Sequence, residues 1–244
     1  MPIATETTTY RAEDGAAVST YLARPQGSGP FPAVLMAYEF WGMLEVPGGG
    51  PHMRDVAGRF AAAGYVAAVP DYYAARGQQP TMEGGTIKGG PSDERAGQDL
   101  ALAVDWLQTL PYVKRGHIGV VGWCGGGRQA LFLAGRSPNI QAAASFYGRP
   151  VNRPGQPGTS PIELVPDMRC AVFGAYGEQD RAIPIETARQ LEVALKASGV
   201  PHEMHYYAEA GHAFMNDQRP DYVEGAARES WRALLAFLER TLKN

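Results

Sequence analysis

Five short runs of almost unbroken apolar residues set the strongest limit on how this chain folds. They are Pro32–Glu39, Tyr65–Asp71, His117–Trp123, Ala142–Gly148 and Cys170–Gly177. Runs this short, without helical periodicity, read as strands buried on both faces. A sixth strand, His202–Tyr207, is expected near the C-terminus, and Thr7–Ala12 and Ala17–Arg24 flank Asp14-Gly15, a hairpin signal. Helix-length segments separate the runs: Met53–Ala63, Ser92–Leu110, Arg128–Gly135, Ile185–Ser198 and Tyr222–Leu242. Three of these stop at Gly64, before Pro111 and at Gly199, residues that end helices. The alternation predicts an α/β fold: a mostly parallel central sheet, an antiparallel N-terminal hairpin, and helices on both faces. One domain is expected over residues 1–244, because strands of the same sheet fall on both sides of the Gly/Pro-rich loops Gly77–Pro91 and Arg149–Asp167. The position of those loops suits a lid or a pocket rim.

Composition excludes several classes of function. Charged residues make up 19% of the 244, the formal net charge is −3, and no Lys/Arg stripe forms. Neither nucleic acid nor an anionic membrane surface is an expected partner. No apolar run is long enough to span a bilayer, and the N-terminus lacks the basic and apolar regions of a secretory signal. Two cysteines cannot make a disulfide framework, so a reducing, cytoplasmic setting is expected.

One of those cysteines stands in an unusual frame. Gly122-Trp123-Cys124-Gly125-Gly126 follows the strand His117–Trp123 and precedes a helix. That is the pattern of a nucleophile elbow, a sharp strand-to-helix turn that closes only when bulky neighbours are absent. The helix N-terminus beside it favours a thiolate. The competing reading is a small buried cysteine at a packing contact. A phosphate loop is excluded by the missing Lys-Ser/Thr, and a thiol–disulfide enzyme by the missing C-x-x-C. Cys170 opens an apolar strand with no glycine frame and reads as core.

Two residues complete a nucleophile–acid–histidine order. Asp180 follows the strand ending at Gly177, and His212 follows the last strand and Gly211. His117, His202 and His205 lie in strands, and His52 lies in a loop where it could touch substrate. No His/Cys pair has metal-ligand spacing, so no metal is expected. The expected roles are attack by Cys124, proton handling by His212 and orientation of the imidazole by Asp180. The backbone N–H groups of Gly125 and Phe40 are the expected oxyanion donors. Trp41 and Tyr147, at strand ends, are candidate pocket walls.

Together the segments YEFWG, GWCGGG, GEQD and GHAF resemble the dienelactone hydrolase family of α/β-hydrolases, from about Thr8 to Leu242. The resemblance implies hydrolysis of a small ester or lactone without a cofactor. In that family an unsaturated, carboxylated lactone is opened to a dicarboxylic acid during aromatic degradation. The resemblance also implies that Glu39 lies beside the resting cysteine and helps it ionise, and that Arg76 holds a substrate carboxylate. The chain departs from the family in one position: Asn216 stands where a second carboxylate-binding arginine is expected, with Arg219 three residues on. A carboxylesterase acting on uncarboxylated substrates and a non-catalytic ligand binder remain as alternatives.

Overall fold

The computed structural model describes residues 2–83 and 86–243. Ten strands are present among them: β1 (Ile3–Arg11), β2 (Ala17–Pro25), β3 (Phe31–Ala37), β4 (Val66–Pro70), β5 (Thr81–Glu83), β6 (Thr86–Lys88), β7 (Val113–Trp123), β8 (Ala142–Phe146), β9 (Ala171–Gly177) and β10 (His202–Tyr207). Eight form one sheet in the order β1-β2-β4-β3-β7-β8-β9-β10. The pairs β1/β2 and β2/β4 are antiparallel, and every pair from β4/β3 to β9/β10 is parallel. The mostly parallel sheet with an antiparallel start is therefore as expected. β5 and β6 pair separately inside the Gly77–Pro91 loop, a hairpin too short to register in the apolar pattern. Gly84 and Gly85 of that loop lie outside the described residues.

The helices are α1 (Gly50–Ala62), α2 (Asp93–Leu107), α3 (Gly125–Arg136), α4 (Ile185–Ala197) and α5 (Glu224–Leu238). Ser92 caps α2, its hydroxyl accepting the Arg95 N–H at 3.2 Å. α5 is shorter than the expected Tyr222–Leu242, and its last turn, Glu239–Lys243, widens to a π-helix. Successive strand residues point to opposite faces. A Cβ on Gly119 of β7 would meet Leu242, just past α5, and one on Gly122 would meet Gly126 of α3. The C-terminal segment and α3 thus cover opposite faces of the sheet. α1 joins the C-terminal side, where Phe60 and Trp231 pack at 4.7 Å between ring centres.

α3 begins three residues earlier than its periodicity indicated, and the reason positions the site. The glycines that read as a turn are the helix's first turn. A Cβ on Gly126 would lie 2.0 Å from the Ala37 carbonyl oxygen of β3, and one on Gly122 would lie 2.0 Å from the Gly126 oxygen. No side chain fits there, so α3 drives its N-terminus against the backbones of β3 and β7. The Gly126 N–H then donates to the Tyr38 carbonyl at 3.1 Å. The chain also reverses its direction across the sheet here: β4 lies on one side of β3 and β7 on the other. The crevice beyond the carboxyl ends of β3 and β7 is a topological switch point, where open α/β sheets place ligands. Glu39, Phe40 and Cys124 sit at those two strand ends.

Replacing Gly126 by alanine is expected to destabilise the fold by about 1–3 kcal/mol, because backbone must give way. Gly58→Ala in α1, where a Cβ meets nothing within 4 Å, is expected to stabilise by about 0.5–1 kcal/mol. Urea midpoints of the two variants check both signs.

Candidate active site

Cys124 forms the corner between β7 and α3 with φ 53° and ψ −116°. Such a conformation costs about 1–3 kcal/mol for a residue with a side chain. Three hydrogen bonds hold the corner. The Cys124 N–H donates to the Phe146 carbonyl at 3.0 Å, the Gly126 N–H donates to the Tyr38 carbonyl, and the Arg128 N–H donates to the Cys124 carbonyl at 3.1 Å. Among the described residues, the non-glycine positions with positive φ are Cys124, Tyr147 and Ala213, the last adjoining His212. Backbone strain is thus gathered at the ends of β7 and β8 and in the loop after β10.

Asp180 and His212 meet although 32 residues separate them: His212 Nδ1 lies 2.7 Å from Asp180 Oδ2. Backbone bonds draw their loops together. The Glu178 N–H donates to Tyr207 and the Gln179 N–H to Ala210, both at 2.9 Å. Gly177 permits this approach, since a Cβ there would lie 2.2 Å from the Ala210 oxygen. The second Asp180 oxygen accepts the N–H groups of Ala182 and Ile183 at 2.7 and 2.8 Å. That leaves the carboxylate fixed, buried and fully hydrogen-bonded.

The imidazole feels opposing influences. Burial pulls its pKa down, but hydrogen bonds to Asp180 and to the Cys124 sulfur, with the negative charge of both, push it from the ordinary 6.5 up to about 10. The Cys124 sulfur is thus a direct hydrogen-bond neighbour of the imidazole. The sequence-predicted trio Cys124, Asp180 and His212 is brought together. The N–H groups of Phe40 and Gly125 donate to no other group among the described residues.

The Glu39 carboxylate accepts the Tyr147 hydroxyl at 2.7 Å and the Asn216 amide at 3.3 Å. Tyr147 is fully buried, its ring packed edge-on against His212 at 5.1 Å and Phe214 at 5.4 Å. It is a brace between Glu39 and His212 rather than an open pocket wall. Trp41 is half-buried against Phe40, with the Arg219 guanidinium 5.9 Å from its ring centre. Asn216 has 0% exposure and also donates to the Gly48 carbonyl at 3.2 Å. Its position is interior, where it is a neutral donor to Glu39.

Arg76 is corrected as a substrate-binding residue. Its guanidinium makes four hydrogen bonds to Asp14 and Asp99, at 2.5 to 3.1 Å. It ties the N-terminal hairpin to α2, and the acids that occupy it lie 62 and 23 residues away in sequence. His52 is buried and paired with Asp217, which also binds Arg59. Through its Nδ1 it joins α1 to the loop after His212. Cys170 is core, and burial pushes its thiol up to about 12. No cluster of three His, Cys, Asp or Glu side chains able to hold a metal is found among the described residues. A cavity of about 840 Å³ between α2, α3 and Gln156–Thr159 lies away from Cys124 and holds no nucleophile–base pair.

Sequence reasoning missed the brace formed by Tyr147 and Asn216. The signal it could have used is weak: a tyrosine just past a strand end and a polar residue four positions after His212.

Because the folded-state pKa of His212 lies above its ordinary value, its pairing contributes stability fully below about pH 6.5 and loses it as pH rises through about 10. The melting temperature of the parent chain is expected to fall over that window, and that of His212→Gln to fall less. Parallel slopes in a pH series of thermal melts would contradict the pairing's contribution.

The family model of the dienelactone hydrolase family matches residues 18–242. A Methylorubrum extorquens protein named "Putative carboxymethylenebutenolidase" is 31% identical over 228 residues, covering 91% of this chain and 76% of its own. A Synechocystis protein of the same name is 32% identical over 238 residues, covering 93% of both chains. Among solved structures, a Klebsiella pneumoniae protein described as a "Putative Dienelactone Hydrolase" superposes with a TM-score of 0.83 at 27% identity, covering 98% of this chain and 99% of that one. The elbow, the acid loop and the histidine loop all fall inside the matched span. The chain belongs to the dienelactone hydrolase family and has the α/β-hydrolase fold.

Proposed function

We propose that the protein hydrolyses small carboxylic esters or lactones through a thioester on Cys124. The observation that carries this reading is a cysteine on a strained elbow whose sulfur interacts with an imidazole already held by a buried carboxylate. A ligand-binding fold has no use for that strain or for a buried acid aimed at a histidine.

The steps follow from the groups present. The Cys124 thiolate adds to the substrate carbonyl, and the developing oxyanion takes the N–H groups of Phe40 and Gly125. The imidazolium of His212 gives its proton to the leaving alkoxide as the C–O bond breaks. The acyl group is then on sulfur, and His212 is neutral. It takes a proton from water as the hydroxide adds to the thioester carbonyl. Collapse of that second tetrahedral species returns the thiolate and releases the acid. Asp180 holds the ring in one orientation and stabilises its charged form throughout. Glu39 acts through Tyr147 and Asn216 as a positioning residue, setting the tyrosine against which the imidazole rests. No cofactor enters any step. Two free cysteines fit a reducing, cytoplasmic compartment.

The substrate's identity depends on what faces Cys124. The relatives' name describes a carboxylated butenolide as their substrate. In this chain Arg76 is occupied and Asn216 is interior, so both family positions for a carboxylate grip are lost.

Cys124→Ala is expected to lose p-nitrophenyl acetate hydrolysis to the level of buffer. Cys124→Ser is expected to retain about 1% or less, because an alcohol ionises far less readily than a thiol. Rapid quenching followed by peptide mass spectrometry should find an acetyl group on the Cys124 peptide. Full turnover in Cys124→Ala would refute the assignment.

A further inference from the structure

A tyrosine that the catalytic steps do not use stands beside the elbow. Gly125 follows the nucleophile, and the space where its side chain would lie is nearly empty. Chain neighbours and its own helix aside, one atom among the described residues comes within 4 Å of a Cβ built there: the Tyr73 hydroxyl oxygen, at 4.0 Å. The ring of the same tyrosine crosses Gly42, whose Cβ would lie 3.2 Å from Tyr73 Cδ2. Gly42 stands two residues past Phe40. Tyr73 therefore spans the two loops whose N–H groups take the oxyanion in the proposed steps, with its hydroxyl at the Gly125 end.

The ring is held from behind. The Tyr73 N–H donates to the Tyr38 hydroxyl at 2.8 Å, and that hydroxyl donates to Asp71 at 3.3 Å. Tyr38 stacks on Tyr72 at 4.3 Å between ring centres, and Tyr73 packs edge-on against both, at 4.7 and 4.9 Å. The phenol is thus fixed before any charge develops, which is what an oxyanion donor requires. Such a donor must also keep its proton. Burial, then the charge of Cys124, push the Tyr73 phenol up, while a hydrogen bond with Tyr72 acts the other way. The same bond raises Tyr72, so Tyr72 is its donor and the Tyr73 proton is left for another acceptor. Tyr73 is half-buried, so its hydroxyl borders the crevice and not the core.

We propose that Tyr73 is a catalytic residue: its hydroxyl donates a hydrogen bond to the oxyanion formed when Cys124 adds to a carbonyl, as a third donor beside Phe40 and Gly125. The inference rests on the ester-hydrolase reading. No proton leaves the phenol. The bond strengthens as the carbonyl oxygen gains charge and weakens when the carbonyl re-forms, so it favours the transition state over the bound ester. The same hydroxyl serves the addition of water to the thioester, because the sulfur holds the acyl carbon in one place through both steps.

Tyr73→Phe removes the hydroxyl and keeps the ring. Its kcat/KM for p-nitrophenyl acetate is expected to fall roughly tenfold or more. Iodoacetamide alkylates a thiolate by displacement and forms no oxyanion, so the alkylation rate of Cys124 and its pH profile are expected to match the parent chain. An unchanged kcat/KM would overturn the proposal. So would an equal loss in alkylation, which would mean that Tyr73 acts on the thiol. A probe without turnover separates this inference from the ester-hydrolase reading. Trifluoroacetone adds to a thiolate to give a tetrahedral oxyanion with no group to expel. It should protect Cys124 from iodoacetamide in the parent at a concentration roughly tenfold or more below that needed in Tyr73→Phe. Equal protection in the two chains, or protection in neither, would overturn the proposal even where ester hydrolysis stands. Conversely, hydroxyl-dependent protection with no ester turnover would leave Tyr73 as an oxyanion donor and refute the hydrolase reading. Should Tyr73→Phe fail to fold, a tyrosine fluorinated beside its hydroxyl, placed at position 73, keeps the ring and is a stronger donor. It should lower the ketone concentration that protects, and an equal or higher concentration would overturn the proposal.

Discussion

The site depends on one close approach: the N-terminal turn of α3 pressed against the ends of β3 and β7. Two absent side chains, at Gly122 and Gly126, make it possible. The approach forces Cys124 into a conformation that residues with side chains avoid, and it sets the helix dipole behind the sulfur. It also brings Glu39 and Phe40, from the neighbouring strand end, to the same crevice. A strained corner lasts only if its surroundings over-determine it. Here the Cys124 N–H reaches Phe146 of β8, the Gly126 N–H reaches Tyr38 just past β3, and the Arg128 N–H closes on Cys124, so the corner is tied to two neighbouring strand ends and to itself.

Around that corner the structure spends its buried polar groups on orientation. Asp180 satisfies both oxygens, one on His212 and one on two backbone N–H groups. Glu39 satisfies its own on Tyr147 and Asn216. A buried carboxylate without such partners would be costly. With them it becomes rigid, and each in turn fixes an aromatic ring: Asp180 the imidazole, Glu39 the tyrosine that abuts it. The histidine is therefore held by hydrogen bond on one side and by packing on another.

Pairing of polar groups also closes two positions near the site. The family positions for recognising a carboxylate are closed here by local events: Asp14 and Asp99 capture Arg76, and residue 216 faces the interior.

The sequence by itself determined the sheet's parallel character, the elbow and the order Cys124, Asp180, His212. Apolar runs, glycine spacing and residues just past strand ends are local signals, and local geometry follows from them. It did not determine which polar groups pair. The Tyr147–Glu39–Asn216 brace joins residues 108 and 177 positions apart. The Arg76 cluster likewise joins the N-terminal hairpin to a loop and a helix. Hydrogen bonds act over about 3 Å in space, and no periodicity along the chain records which side chains the folded sheet will bring that close. Only the tertiary structure decided that Arg76 is spent and that Asn216 is interior.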